Sequence, residues 1–450
     1  MRDSQSKARP FYMALSGLAA LFMSGCNGLA PNTTVQVPVL SGKATGRVMG
    51  GQQPVANVAL QLYAVGSSGY GSAATPLLTP NSVMTTPSGN FTIPSFTCPV
   101  GNPLVYLVGT GGQPITGVTN GNLALMVGLG NCSTVGSAFI DMNEVTTVAS
   151  VWALAPFMTG IANVGTSATN PTGLVNAFAA INEVANTTNG AVSGPSLPGN
   201  ATLPATEINT LADILEQCVN SGGGSASDTT DGVTNGTGCG KLFYLTTIGS
   251  SSPTDTITAA MNMAQNPGQN VANLNKLRSN SPVFQPAMNV NSPPTDWTIA
   301  INYTGGGLNA PQSVAVDQSG NVWLANSGNS SVSKFSATGS AISGSSGFTA
   351  GSINVPYAIA IDQSGNAWIA NSGNNTITKL SADGSTGTAF SNNGLSAPKS
   401  IAIDASGNIF VGNSSSAGIS GFTSAGAPLT NSPFTGGGST STTAIAINPK

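Results

Sequence analysis

The chain has 450 residues, of which 6% are charged, against roughly 25% in an average soluble protein. Its formal net charge of −3 and its lack of a basic cluster remove the electrostatic attraction to phosphate on which most nucleic-acid binding depends. Histidine is absent, which excludes Ser-His-Asp and Cys-His catalysis and the usual zinc sites. We therefore expect no nucleic-acid partner, no cofactor and no metal.

The first 26 residues have the layout of an export signal. Arg2, Lys7 and Arg9 precede the apolar run FYMALSGLAALFM, which is too short to span a bilayer of roughly 30 Å as a helix. The Ser-Gly-Cys sequence that ends at Cys26 resembles a bacterial lipobox. The resemblance implies a signal peptide over residues 1–25 and a lipid on Cys26 that anchors the chain in the cell envelope, in the periplasm or outer membrane. An ordinary secretory signal with an incidental cysteine is the alternative.

Four further cysteines are predicted to form two disulfides, because an even number outside the cytoplasm is typical of a disulfide framework. Of the three pairings, the sequence favours the sequential one, in which Cys98 bonds Cys132 and Cys218 bonds Cys239. The second bond closes a Gly- and Ser-rich tract that is too polar to order itself, and such closure stabilises a fold by roughly 3 kcal/mol. A metal site is the alternative, but two sulfurs without histidine make a poor one.

Residues 26–41 are polar and are predicted to form a tether. From residue 42 to 140 the pattern indicates a β-sandwich, with strands in GRVMG, VANVALQLYAVG, GNFTIPSF, PLVYLVGT and LALMVGLG separated by turn residues. The alternation of Val58, Leu60 and Leu62 predicts one buried face. GRVMGGQQPVANVALQLY followed by SGNFTIP resembles carboxypeptidase-regulatory-like domains, which implies a non-catalytic spacer or binding module.

Residues 141–294 show helical spacing and indicate a loop-rich α-helical domain. The apolar positions of its first three helices are Val145, Val148, Trp152 and Ala155; Leu174, Phe178 and Ile181; and Ile208, Leu211, Leu215 and Cys218. Further helices are predicted over Thr256 to Gln265 and Val271 to Leu277. Thr206 and Asp255 are predicted N-caps.

Five carboxylates of this region are candidates for an acid pair. They are Glu144, Glu183, Glu207, Asp213 and Glu216. Because they lie near helix starts or on faces expected to be exposed, the sequence favours capping or solvation.

The C-terminal third repeats itself. SVAVDQSGNVWLANSGNSSVSKFS from Ser313 aligns with AIAIDQSGNAWIANSGNNTITKLS from Ala358 and SIAIDASGNIFVGNSSSAGISGFT from Ser400, and AIAIN opens a fourth unit at Ala444. The steps between equivalent positions are 45, 42 and 44 residues, measured from Asp317 to Asp362, Asp404 and Asn448. Units of this length with several short strands indicate β-propeller blades.

Each unit predicts its own shape. The first strand, VAVD in the first unit, is expected to be buried on both faces. Aspartate side chains are predicted to cap a hairpin turn at Asp317, Asp362 and Asp404, and glycines to supply its positive φ at Gly320, Gly365 and Gly407. Aromatic residues on the second strands are predicted to pack blade on blade at Trp323, Trp368 and Phe410. The aspartate turns lack the further carboxylates of a calcium loop.

These units, with Pro311, Pro356 and Pro398 before their first strands, resemble NHL-repeat propellers and the streptogramin-lyase-like (virginiamycin B lyase-like) group. The resemblance covers residues 295–450 and implies the blade fold. Asn326, Asn371 and Asn413 stand where many NHL units have Asp, which argues against phosphate or RNA binding. Lyases of the group use a histidine base beside a magnesium ion, and no position here carries that histidine.

Three full units and a first strand do not close a ring, because propellers have typically four to eight blades. WTIAINY from Trp297 is a candidate outer strand of a further blade, and AIAIN a candidate inner strand. The sequence favours a truncated product over a ring that another chain completes.

The sequence thus predicts a multidomain, mainly β protein with an N-terminal β-sandwich, a central loop-rich α-helical domain and a C-terminal partial β-propeller. It predicts a membrane-anchored lipoprotein that acts as a non-catalytic binding or scaffolding module, with carbohydrate or protein as the ligand. Two alternatives stay open. One is a lyase or hydrolase in which Asp317, Asp362 and Asp404 converge, and the other is a purely structural envelope protein.

Overall fold

The structure, a computed structural model, describes residues 39–40, 43–137, 139–167, 169–436 and 440–447. The predicted signal peptide, Cys26, the tether before residue 39 and Asn448 lie outside the described residues. The described residues belong to one compact unit. None of its helices, within this described part, has both the length and the apolar character needed to cross a membrane.

Ten strands precede the first α-helix, and they form two main sheets. The strands are β1 (Val39–Leu40), β2 (Ala44–Gly50), β3 (Gln53–Pro54), β4 (Ala59–Ala64), β5 (Thr75–Pro76), β6 (Asn90–Ile93), β7 (Thr97–Cys98), β8 (Leu104–Thr110), β9 (Ala124–Asn131) and β10 (Phe139–Met142). In the first sheet β2 pairs with β6 and β3 antiparallel and with β10 parallel. The second sheet has the order β5-β4-β8-β9, and β1 pairs with β7. The predicted β-sandwich is confirmed.

The second sheet is covered on both faces, because its strands alternate two sets of apolar side chains. Leu107 and Leu125 face the first sheet and lie in one apolar core, with Val58, Leu60 and Leu62. Tyr106 and Met126 point the other way and lie in a second core, which consists mainly of residues from the helices. The sandwich and the helical region therefore share a sheet, and the fold here has three layers.

Six α-helices follow. They are α1 (Glu144–Leu154), α2 (Pro171–Val184), α3 (Ala205–Val219), α4 (Gly238–Leu245), α5 (Thr256–Gln265) and α6 (Val271–Asn275), with 3-10 turns at Cys132–Ser137, Ala155–Phe157 and Ala226–Asp228. Short strand pairs join them: β11 (Met158–Gly160) with β12 (Asn163–Val164), and β13 (Ala185–Asn186) with β14 (Ala191–Val192). Helix α1 is central and packs against β9, α2, α3 and α5.

One of the two predicted N-caps is confirmed and the other is wrong. Asp255 caps α5 as predicted, accepting from the Thr258 N–H at 2.8 Å. The prediction that Thr206 caps α3 is wrong, because the Pro204 carbonyl already accepts from the N–H groups of Glu207 and Ile208, and the helix starts at Ala205.

Helix α4 was not predicted, because Gly238 and Gly240 disfavour a helix. Its formation is explained by tertiary contacts: Leu242 and Phe243 are fully buried, and Cys239 bonds Cys218 of α3. The second disulfide joins Cys98 to Cys132. This is the sequential pairing that the sequence favours.

The described residues of the C-terminal third form three stacked antiparallel sheets. The first blade has β17 (Pro311–Val316), β18 (Val322–Asn326) and β19 (Ser331–Phe335). The second has β20 (Pro356–Ile361), β21 (Ala367–Asn371), β22 (Thr376–Leu380) and β23 (Gly387–Phe390), and the third has β24 (Pro398–Ile403), β25 (Ile409–Asn413) and β26 (Ile419–Phe422). The predicted partial propeller, and with it the multidomain, mainly β fold class, is confirmed.

Among the described residues, a complete fourth strand occurs in the second blade alone. In the first blade the Ser343 hydroxyl accepts from the Lys334 N–H at 2.9 Å, in place of a backbone carbonyl. In the third blade the Ser432 hydroxyl accepts from the Gly421 N–H at 2.7 Å. The third blade also has Pro428 at the fourth-strand place, where proline has no N–H to donate.

The segment WTIAINY does not form an outer blade strand, so that expectation is wrong. Trp297 is fully buried in the core of the helical region, and its carbonyl accepts from Trp152 Nε1 at 2.8 Å. Strand β16 (Asn302–Tyr303) pairs with β15 (Ala201–Thr202), which lies between α2 and α3 in the chain. The helices bury the large apolar ring of Trp297. The alternation of residues within WTIAINY does not indicate this burial.

Candidate functional site

Each blade closes its first hairpin with an aspartate. Asp317 Oδ1 accepts from the N–H groups of Ser319 at 3.0 Å and Asn321 at 2.9 Å, and Gly320 takes a φ of 80°. The same pair of bonds and similar φ values, 79° and 81°, recur at Asp362, Gly365, Asp404 and Gly407. The repeated aspartates therefore shape the turns.

A tryptophan and a lysine complete this turn in two blades. Trp323 Nε1 donates to Asp317 Oδ2 at 3.0 Å, while Lys334 Nζ lies 3.6 Å from that oxygen and 4.3 Å from the Trp323 ring centre. Lys334 also donates to the Ala382 carbonyl of the next blade at 2.8 Å. The second blade repeats these contacts with Asp362, Trp368 and Lys379. In the third blade, Phe410 replaces the tryptophan and Gly421 replaces the lysine. The tryptophan and the lysine are thus present or absent together.

The carboxylates of these turns are ionised and internally bonded. Partial burial raises the pKa of Asp317, but hydrogen bonds from Asn321, Trp323 and Ser319 outweigh it and hold the pKa below its ordinary value. The pKa values of Asp362 and Asp404 are lowered in the same balance. A low pKa suits a turn cap and is unfavourable for a general acid or base near neutral pH.

An asparagine ends the second strand of each blade and is fully buried at Asn326, Asn371 and Asn413. Asn371 Nδ2 donates to the hydroxyls of Thr376 at 3.0 Å and Thr378 at 2.9 Å, and its Oδ1 accepts from the Asn354 N–H. The two hydroxyls in turn donate to the oxygens of Asn374 and Gly351. An aspartate has no donor to offer here, which explains the departure from the NHL pattern.

Neighbouring blades pack through two unlike surfaces. The aromatic face of the first blade (Trp323, Ala325 and Val332) contacts the aliphatic face of the second (Ile359, Ala367, Ile369 and Leu380). The aromatic face of the second blade (Trp368, Ala370 and Ile377) contacts the aliphatic face of the third (Ile409, Val411 and Phe422) in the same way.

The aliphatic face of the first blade has no such cover along its inner strand. Val314 is 60% exposed and Val316 is 61% exposed, whereas Ile359, which is equivalent to Val314, is 6% exposed. The expectation that the inner strand is buried on both faces is therefore wrong for the first blade, and the inner strands of the other two blades are only partly buried. The reason for the first blade is tertiary: no blade precedes it among the described residues.

Buried carboxylates lie in the helical region, where the sequence favoured capping or solvation. That prediction is wrong for Glu144, Glu183 and Asp213, which are 0%, 2% and 1% exposed. Helices α1 and α3 are covered on more than one side, so residues opposite their apolar stripes are buried as well.

Two of these carboxylates have strongly shifted pKa values. Burial raises the pKa of Glu144 to about 8, and the charges of Glu216 and Asp213 add to the effect against a hydrogen bond from the Gly51 N–H. Burial also raises the pKa of Asp213 to about 6, although Val283 and Phe284 donate their N–H groups to its Oδ1 at 2.9 Å. In both cases burial is the dominant cause.

A cavity of about 720 Å³ lies beside these groups, between β2, β10, the start of α3 and residues 283–286. On its wall, Arg47 donates from Nε to Asp141 Oδ2 at 2.8 Å, and its Nη2 lies 2.6 Å from the same oxygen in an ion pair. Asp141 is 1% exposed, and its Oδ1 has no hydrogen-bond partner. Burial raises the pKa of Asp141, while Arg47 lowers it.

Three loops form the other walls, and each is held by a buried side chain. Glu144 has both carboxyl oxygens 3.0 Å from the Gly51 N–H. Asn143 Nδ2 donates to the Gly190 carbonyl at 2.9 Å, and Asp213 binds residues 283 and 284. The cavity is thus preformed.

Sequence reasoning missed this cavity and its ion pair. The available signal was a charged residue within a short apolar strand, Asp141 in FIDM, in a chain with few charges. Its partner Arg47 lies 94 residues away, and alternation in β2 alone gives no reason to join them. Within the part of the chain that the structure describes, no group of three or more His, Cys, Asp or Glu side chains is placed to hold a metal ion.

Comparison with known proteins agrees with the blade geometry. The model of the NHL repeat family matches residues 308–335, which span the first blade. No curated protein sequence matches the chain. The predicted resemblance to NHL repeats is confirmed by the family match, and the C-terminal third is of the β-propeller class.

Solved structures with some similarity include virginiamycin B lyase from Staphylococcus aureus, 20% identical, which covers 27% of this chain and 42% of its own, with a TM-score of 0.23. Hydrazine synthase from Kuenenia stuttgartiensis is 14% identical over 28% of this chain and 37% of its own, with a TM-score of 0.24. A nidogen/laminin complex is 17% identical over 31% of this chain and 53% of its own, with a TM-score of 0.25. The chain thus spans about half the length of these structures or less.

Proposed function

We propose that the protein is an exported lipoprotein, anchored through Cys26, that acts as a non-catalytic binding and scaffolding module through its blades. Two disulfides support an oxidising, extracytoplasmic location. The hydrogen bonds that occupy the repeated aspartates support a structural role for them. The resemblance of the first 26 residues to a lipobox supports the anchor.

The observation that carries the binding role is the exposed aliphatic face of the first blade. Val314 and Val316 are 60% and 61% exposed, whereas Ile359 is buried under the aromatic face of the preceding blade and Ile361, Ile401 and Ile403 are partly buried. Contiguous exposed apolar surface of this kind marks interaction sites. Because this face lies at the end of the stack of blades, the partner that fits it is a further blade.

The partner that fits is a second copy of this chain. Its third blade has Phe410, Gly412 and Ile419 at the positions that form the aromatic faces of the first two blades, and Thr442 lies against Gly412. Of the described residues that follow the third blade, 440–447 form no further sheet, but Thr442 donates its N–H to the Asn413 carbonyl at 2.8 Å, so a partner blade would displace this segment. One chain thus supplies both halves of a head-to-tail blade contact.

Replacing Val314 and Val316 with Asp is expected to weaken self-association at least about tenfold, because two desolvated carboxylates oppose blade stacking. Sedimentation velocity over a range of protein concentrations measures it. The matched control replaces Val100 and Val118 with Asp, which are 56% and 37% exposed and lie in the sandwich. A wild-type chain that stays monomeric at every concentration, or an equal effect of both pairs, overturns this partner.

The anchor has a separate test. The intact mass of the protein purified from membranes is expected to correspond to a chain that begins at Cys26, carries a diacylglyceryl group and contains two disulfides. An alanine at Cys26 is expected to release the protein into the soluble fraction. A processed chain without lipid, or a membrane-bound Cys26→Ala variant, contradicts lipid anchoring while leaving the blade contact untouched.

A further inference from the structure

We infer that the cavity between β2, β10 and the start of α3 binds a neutral polyhydroxylated molecule, of the chemical class of a saccharide. The inference stands apart from the blade contact proposed above, because it uses none of the blade residues. The volume of about 720 Å³ falls within the roughly 300 to 1,000 Å³ of small-molecule sites.

The cavity wall contains an unsatisfied hydrogen-bond acceptor. Asp141 Oδ1 is buried and lacks a hydrogen-bond partner, while Oδ2 accepts from Arg47 Nε and lies in an ion pair with Nη2. A buried acceptor without a donor destabilises the fold, so a ligand hydroxyl that reaches Oδ1, which has almost no accessible surface in the structure, gains free energy. Native proteins keep few such atoms, and those they keep frequently mark functional sites.

Charge selects among the ligands that could donate. Arg47 and Asp141 are the charged members of the described cavity lining, and they neutralise one another. An ammonium group satisfies Asp141 but meets the guanidinium, and a carboxylate or phosphate satisfies Arg47 but meets Asp141. A hydroxyl donates and accepts at one atom, so adjacent hydroxyls satisfy Asp141 Oδ1 and the remaining Arg47 N–H groups together.

The rest of the lining has the mixed character of a saccharide surface. Gln52 supplies an amide, Asn209 and Gln285 supply amide oxygens while their NH2 groups donate to the Pro286 and Pro282 carbonyls, and the lining also contains the apolar side chains of Phe284 and Leu203. A sugar ring likewise presents hydroxyls at its rim and C–H groups on its faces. A small apolar ligand offers no donor to the amide oxygens that line the cavity, which is unfavourable.

The walls are held before any ligand arrives. Glu144, Asn143 and Asp213 hold the three loops of the cavity through hydrogen bonds to backbone groups. Gly190 approaches Asp141 so closely that an added Cβ lies 3.2 Å from its Cγ. Binding to a preformed cavity avoids the entropy cost of ordering loops.

The test is saturation-transfer NMR and calorimetry on the full chain with three neutral sugars, glucose, galactose and mannose. Glucosamine and glucuronate serve as charged probes of the same ring. Ala205→Phe places a ring in the cavity from the first residue of α3, and Ala405→Phe adds the same ring on an exposed blade turn as the matched control. Asp141→Asn tests the acceptor itself.

We expect at least one neutral sugar to bind more tightly than both charged probes. Ala205→Phe and Asp141→Asn should each weaken its affinity at least about tenfold, the scale of one lost hydrogen bond to a charged group, and Ala405→Phe should leave it unchanged. Matching unfolding temperatures of the two Phe variants show that folding is intact. Absence of binding by all three neutral sugars, preference for a charged probe, or equal affinities of the two Phe variants overturns the inference.

Discussion

Replacing Glu144 with Gln is expected to stabilise the protein at pH 8 and above by about 3 to 5 kcal/mol and to have little effect near pH 4.5. Burial raises the folded-state pKa of Glu144 to about 8, far above its value in the unfolded chain. Because the pKa of Glu144 is higher in the folded than in the unfolded chain, its contribution to stability is complete below the unfolded-state pKa. That contribution is lost as the pH rises from the unfolded-state pKa through the folded-state pKa. Glutamine cannot ionise, so the variant lacks this loss.

Thermal unfolding of the wild type and of Glu144→Gln at intervals between pH 4.5 and 8.5 measures the difference. Asp213, whose pKa is raised to about 6, adds a loss of the same sign between its unfolded value and pH 6 in both proteins. Asp383→Asn is the control, because hydrogen bonds from Ser381 and Ser385 lower the pKa of Asp383 to about 2 and it is ionised throughout this range. Parallel curves for the wild type and Glu144→Gln contradict the prediction.

Replacing Asn371 with Asp is expected to destabilise the protein by about 2 to 4 kcal/mol at neutral pH, because a buried carboxylate replaces a buried donor. The Thr376 and Thr378 hydroxyls that accept from Asn371 are committed as donors to Asn374 and Gly351, so they are unfavourably placed to donate to Asp. The loss should shrink at low pH, where the carboxyl group is protonated and can donate.

Urea unfolding of this variant is compared with that of Asn375→Asp. Asn375 is exposed, and its Oδ1 accepts from the Ala397 N–H at 2.7 Å, which a carboxylate oxygen does equally well. We expect less than about 1 kcal/mol of change there. If the two variants lose similar stability, the donor role of the blade asparagines is wrong.

The blades were predictable because their signals are local. Asp317 and Gly320 lie within four residues of one another and form one turn by themselves, and Trp323 recurs at the position where the next blade packs. Repetition then supplies the tertiary contact as well, because one blade is the template for its neighbour. The strands of the sandwich and most of the helices follow from alternation and helical spacing in the same way.

Burial in the helical region was not predictable. Helical spacing identifies one apolar stripe, but α1 and α3 are covered on other sides by elements that lie far away in the chain, so Glu144 and Asp213 are buried. The cavity arises in the same manner, from Arg47 and Asp141, which are 94 residues apart. The sequence around Arg47 does not predict contact with Asp141, and the sequence around Asp141 does not predict contact with Arg47.

The sequence alone determined the repeat, the turn chemistry of each blade, the disulfide pairing it favours and the lack of imidazole chemistry, because each depends on residue identity or short spacing. Tertiary structure alone decided which carboxylates ionise with difficulty, where a cavity opens and which blade face stays uncovered. Those properties depend on what surrounds a residue in space, and desolvation and packing are set by neighbours that sequence distance does not indicate.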